Sequence, residues 1–65
     1  MEYKVRLIFN VGNAKDIYLS GANENDVIEQ MENMMKNGDV FCTFEGRKKV
    51  CYNMAQVIQF YVFFN

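Results

Sequence analysis

The sequence predicts an α+β domain in the order β-β-α-β-β-β, with a single helix packed on one face of a small, mainly antiparallel sheet of four to five strands. Three observations predict it. Residues 3–9 alternate apolar and charged side chains, as a half-buried strand does. One amphipathic stripe of helical period lies between Asn23 and Asn37. Residues 57–64 are rich in β-branched and aromatic side chains and carry no charge. At 65 residues the chain is one domain, 1–65. A chain of this size buries only roughly 60 % of the surface its unfolded form exposes, so a lone monomer is marginal.

In the first strand Tyr3, Val5, Leu7 and Phe9 share one face, and Glu2, Lys4 and Arg6 the other. Val11-Gly12-Asn13 is a turn signal. Residues 16–20, carrying Ile17 and Leu19, then return as the second strand of a hairpin. Asn23 is the expected N-cap of the helix, with Glu24 and Asp26 in the first turn, where the helix dipole favours anions. Val27, Ile28, Met31, Met34 and Met35 form the buried stripe. Asn37-Gly38 stops the helix.

Residues 40–45 and 48–52 flank Gly46 as a second hairpin. Two registers compete. A two-residue Gly46-Arg47 loop fits a type II′ turn and sets Cys42 opposite Cys51. A three-residue loop sets Phe44 opposite Val50 and Glu45 opposite Lys49. Amphipathy favours the second register slightly. Asn53-Met54-Ala55 is a connector into the last strand, 57–64. That strand is apolar on both faces, so it lies centrally in the sheet or is covered by another chain. Self-association is therefore expected through Ile58, Phe60, Tyr61, Val62, Phe63 and Phe64.

Composition excludes several chemistries. The net charge of −1 argues against a protein that coats nucleic acid. There is no histidine, which removes the commonest general base and zinc ligand together. No nucleophile–base pair, metal-ligand set or glycine-rich phosphate loop is evident, so no enzyme and no cofactor is expected. Two cysteines are too few for a secreted disulfide scaffold. The N-terminus alternates charge and lacks a signal-peptide pattern, and the apolar runs are too short to span a bilayer. The expectation is a cytoplasmic protein with reduced thiols, Cys42 and Cys51 being small buried strand residues.

Two charged groups remain as candidate sites. Arg47, Lys48 and Lys49, with Tyr52 as a stacking face, could contact nucleic acid, and Lys4 and Arg6 could extend that patch. The simpler reading is a solvated hairpin tip. Glu24, Glu29 and Glu32 could present an acidic face to a basic partner. The simpler reading there is a solvated helix surface.

The element order, the helix after Ser20-Gly21 and the Phe44-Glu45-Gly46-Arg47-Lys48 turn resemble the β-grasp (ubiquitin-like) fold. The resemblance implies a last strand central in the sheet beside the first. It does not imply conjugation, since the chain closes on Phe63-Phe64-Asn65 rather than Gly-Gly. In the last third, Gly46, Val50, Asn53, Val57 and the aromatic strand resemble the endings of short proteins from low-GC bacteria and their phages. That resemblance implies a small binding protein, with a phage-encoded inhibitor of a host defence or regulatory complex as its specific form. The expected function is a non-catalytic module that forms a homo-oligomer and binds a protein partner. A nucleic-acid-binding module and a small-ligand binder at a subunit interface are the alternatives.

Overall fold

A computed structural model describes residues 1–64. It has one α-helix and five strands: β1 Glu2–Phe9, β2 Ala14–Ser20, α1 Glu24–Asn37, β3 Val40–Glu45, β4 Lys48–Asn53 and β5 Val57–Val62, with a 3-10 turn at Met54–Gln56 before β5. The expected α+β class and element order stand. The single sheet does not. The strands form two antiparallel sheets, β2-β1-β5 and β3-β4.

The split follows from where β5 goes. β1 has two edges, and β2 and β5 take one each, both antiparallel. The β3–β4 hairpin is left as a separate ribbon packed onto the core. The last strand does lie beside the first, but it ends the sheet instead of sitting centrally. Its register with β1 shifts at Ile8/Phe9: Phe9 pairs with Val57 and Ile8 with Gln59, so Ile58 is a bulge residue pushed outward.

The core collects one face of β1 (Tyr3, Val5, Leu7, Phe9), Ile17 and Leu19 from β2, Val27 and Met31 from α1, and Tyr52, Met54 and Val57. Val5, Leu7, Val27, Met31 and Met54 are fully buried. Met34, Met35, Phe41, Val50, Phe60 and Val62 pack around them half-buried. Among the described residues no polar or charged residue is buried. Of the expected helical stripe, Val27 and Met31 are core and Met34 and Met35 pack against it, while Ile28 is half-buried outside that cluster.

The helix is capped at both ends as its sequence dictates. The Asn23 side chain accepts from the Asp26 N–H at 3.0 Å, and the Asp26 carboxylate accepts from the Ala22 N–H at 2.9 Å. At the other end Gly38 has φ 68°, its N–H donates to Met35, and the Asp39 N–H donates to Met34. This is a Schellman stop. A Cβ at Gly38 would meet only the Ala55 Cβ at 3.7 Å, so Gly38→Ala carries backbone strain without a clash. We expect that substitution to lower stability by about 1–2 kcal/mol, read as a lower midpoint in chemical denaturation.

The second hairpin takes the two-residue loop. Glu45 pairs with Lys48, Phe44 with Lys49, Thr43 with Val50 and Cys42 with Cys51. Gly46 has φ 62° and Arg47 has no positive φ, as a type II′ turn requires. The three-residue register favoured by amphipathy is thus wrong. Phe41, Thr43, Val50 and Tyr52 face the molecule, and Phe44 is 74 % exposed on the other side.

Candidate functional site

β5 is an edge strand, bulged at Ile58 but without a charged side chain along Val57–Val62. The Phe63 N–H donates to the Lys4 carbonyl at 3.0 Å, so the backbone groups of Tyr61 and Phe63 face β1. By the alternation of an antiparallel ladder, those of Phe60 and Val62 face away from it. The opposite edge of the same sheet, β2, carries Lys15 and Asp16, charges of the kind that blunt an edge. β5 carries none. Its residues divide by side. Phe60 and Val62 lean on the core half-buried, whereas Ile58 (65 %), Tyr61 (47 %) and Phe64 (68 %) are exposed. Of the six residues expected at an interface, these three are open, and Phe63 is half-buried.

Phe63 lies on the outer face of the sheet under two cations. Lys4 Nζ and Arg6 Cζ are each 5.0 Å from its ring centroid. Arg6 also donates two hydrogen bonds to Asp16, at 2.8 and 3.1 Å, and Lys4 Nζ stands 3.5 Å from the same carboxylate. These hydrogen bonds hold the Asp16 carboxyl below its ordinary range and raise the Arg6 guanidinium. Lys4 and Arg6 are therefore engaged with Asp16 and Phe63.

The hairpin tip keeps Arg47, Lys48 and Lys49 exposed, but Tyr52 is not beside them as a stacking face. It is 8 % exposed, its ring is 5.8 Å from that of Phe9, and its hydroxyl donates to Glu45 at 3.0 Å. Burial, helped by the nearby Glu45, pushes the Tyr52 hydroxyl above its ordinary value. The tyrosine expected to stack on bases is a core residue that fastens the hairpin down. The sign of its pH effect follows. A raised folded value means that the stabilisation is complete below the ordinary tyrosine value of about 10 and is lost as pH rises through the folded value. Alkaline titration followed by tyrosinate absorbance should show one tyrosine ionising late and together with unfolding. Tyr52→Phe should remove that phase.

On the helix Glu29 and Glu32 are exposed, and Glu24 is half-buried. Asp26 is committed to the cap.

The cysteines correct two expectations. They are exposed rather than buried, and they are joined: Cys42 and Cys51 form a disulfide, with their Cα atoms 4.0 Å apart. The bond lies on the outer face of the hairpin, away from the core. Cys51 also borders an open groove of about 370 Å³, whose other walls include Phe9, Val11, Lys15 and Gln56. The bond is possible only in the two-residue register, which the sequence offers but amphipathy slightly disfavours.

No group of three or more candidate metal ligands occurs among the described residues. No helix among them is long and apolar enough to cross a membrane. Compared with known proteins, the chain matches no family model, no curated protein and no solved structure.

Proposed function

We propose that this chain is a non-catalytic interaction module that self-associates through the open edge of β5. The observation that carries the proposal is the pairing of two facts at one place. The edge offers outward backbone groups at Phe60 and Val62, and its side chains are apolar and uncharged. A second copy supplies a matching edge. Laid antiparallel about a two-fold axis at Tyr61, Phe60 of one copy faces Val62 of the other, and the two three-stranded sheets become one of six. The net charge of −1 opposes this weakly. The exposed Ile58, Tyr61 and Phe64 lose solvent in the process. Glu29 and Glu32 on α1 stay accessible to a basic macromolecular partner.

Sedimentation equilibrium and native mass spectrometry across micromolar concentrations test the reading. A dimer, with the β5 amides protected from hydrogen exchange, is the expected result. A stable monomer whose Phe60 and Val62 amides exchange freely overturns it.

A further inference from the structure

The fold takes Tyr52 away from the basic hairpin tip and puts Phe44 there instead. In the two-residue register Phe44 pairs with Lys49, and Arg47 and Lys48 stand at and beside the turn. By strand alternation Val40, Cys42 and Phe44 of β3 share the outer face with Lys49, Cys51 and Asn53 of β4. Phe44 is the most exposed aromatic side chain among the described residues, at 74 %, and lies outside the core. The Cys42–Cys51 bond ties the strands on the same face, at the next outward pair behind Phe44 and Lys49. The aromatic ring and the cation opposite it therefore sit on a ribbon of fixed register.

No carboxylate shares that face. Glu45 alternates to the other side, where it accepts the Tyr52 hydroxyl. Arg47, Lys48 and Lys49 are all exposed, and every ion pair among the described residues is made to Asp16. Residues 40–53 carry three cations and one acid, whereas the rest of the chain carries four cations and seven acids. An otherwise acidic molecule thus has one positive end, and a polyanion approaching it is turned toward that end.

We propose that the outer face of the β3–β4 tip binds single-stranded nucleic acid, with one base stacked on Phe44 and the flanking phosphates held by Arg47, Lys48 and Lys49. A duplex keeps its base faces inside the stack, whereas a single strand offers them to an aromatic ring. An anionic lipid surface fits the tip less well, because its apex is Gly46 and Arg47 and presents no apolar side chain to insert. The site does not depend on the proposed pairing of β5, since the ribbon is a separate sheet.

The test titrates the intact, disulfide-bonded chain with hexathymidylate and follows the backbone amides by NMR. Shifts confined to residues 44–51 are the expected result. Three phosphate contacts give a log–log salt slope of about −2, so affinity should fall about 15-fold between roughly 50 and 200 mM salt. An abasic hexamer of the same charge should bind at least about fivefold more weakly, and Phe44→Ala should bring hexathymidylate down to the same level. The amide spectrum of Phe44→Ala away from the tip shows whether the fold is kept. Arg47→Gln, Lys48→Gln and Lys49→Gln together should remove the salt dependence. The proposal is overturned by any one of four results: no shift at low salt and millimolar hexathymidylate, equal binding of the abasic hexamer, undiminished binding by folded Phe44→Ala, or tip shifts with phosphatidylserine vesicles in place of hexathymidylate.

Discussion

Leu7→Ala is expected to leave the protein largely unfolded at 37 °C, with a fall in stability of about 3–5 kcal/mol. Leu7 is 0 % exposed and lies on the central strand, paired with Lys15 on one side and Phe60 on the other. Truncating it removes the transfer energy of three carbon atoms and leaves a cavity between strands that cannot close on it, because both neighbours are fixed by the ladder. A 65-residue domain has only about 3–10 kcal/mol in total. The substitution therefore takes a large part of what exists. Urea denaturation followed by circular dichroism measures it. A loss below about 1 kcal/mol would mean that the β1 face is not the centre of the core. Phe44→Ala is the control. Phe44 is 74 % exposed on the hairpin's outer face, so its removal should change stability by no more than about 0.5 kcal/mol.

Tyr61→Glu is expected to convert the proposed dimer to monomer, weakening association at least tenfold. Tyr61 is half exposed on the outer face of the sheet, so a glutamate there stays in solvent and the chain should fold. In the pairing proposed above, Tyr61 sits on the two-fold axis. Two carboxylates are then brought together at the centre of the interface, where like charges directly opposite are destabilising. Raising salt should restore part of the association by screening them. Tyr61→Phe should leave the dimer intact. Sedimentation velocity on the three proteins reads the result. Equal association by Tyr61→Glu and the unaltered chain would show that any contact between copies lies elsewhere.

The parts of the fold legible in the sequence are those set by a repeating pattern. The alternation in residues 3–9 put Tyr3, Val5, Leu7 and Phe9 inward, and all four are buried. The helical stripe placed Val27 and Met31 in the core, and Asn23 and Gly38 marked the ends of the helix. What was not legible depends on partners distant in the chain. The register of the second hairpin is one case. Judged alone, Phe44 opposite Val50 makes the better amphipathic ribbon. In the structure the core covers the face of Phe41 and Tyr52, and the turn geometry of Gly46 fixes the count. Every side chain then follows, Phe44 and both cysteines outward and Tyr52 inward. Tyr52 shares the face of Val50 in either register, and the candidate basic site lost its tyrosine because that face packs on the core. The double-faced β5 is another case. Its surplus apolar residues suggested a central strand or one covered by another chain; the strand is at the edge, the bulge at Ile58 ejects one of those residues, and the cations of Lys4 and Arg6 partly cover Phe63.

The neighbours of β1 differ in when they become available. β2 follows it directly through a short loop and can pair early. β5 is the last element and pairs Arg6 with Tyr61, near opposite ends of the chain. Closing that distance costs loop entropy before any contact rewards it. The sheet therefore cannot be completed until β5 has been synthesised. Before then, the edge of β1 that β5 will occupy stands open beside Val5 and Leu7. The β1–β5 pairing has the greatest sequence separation in the sheet, and docking of β5 is therefore the place to look for the rate-limiting barrier.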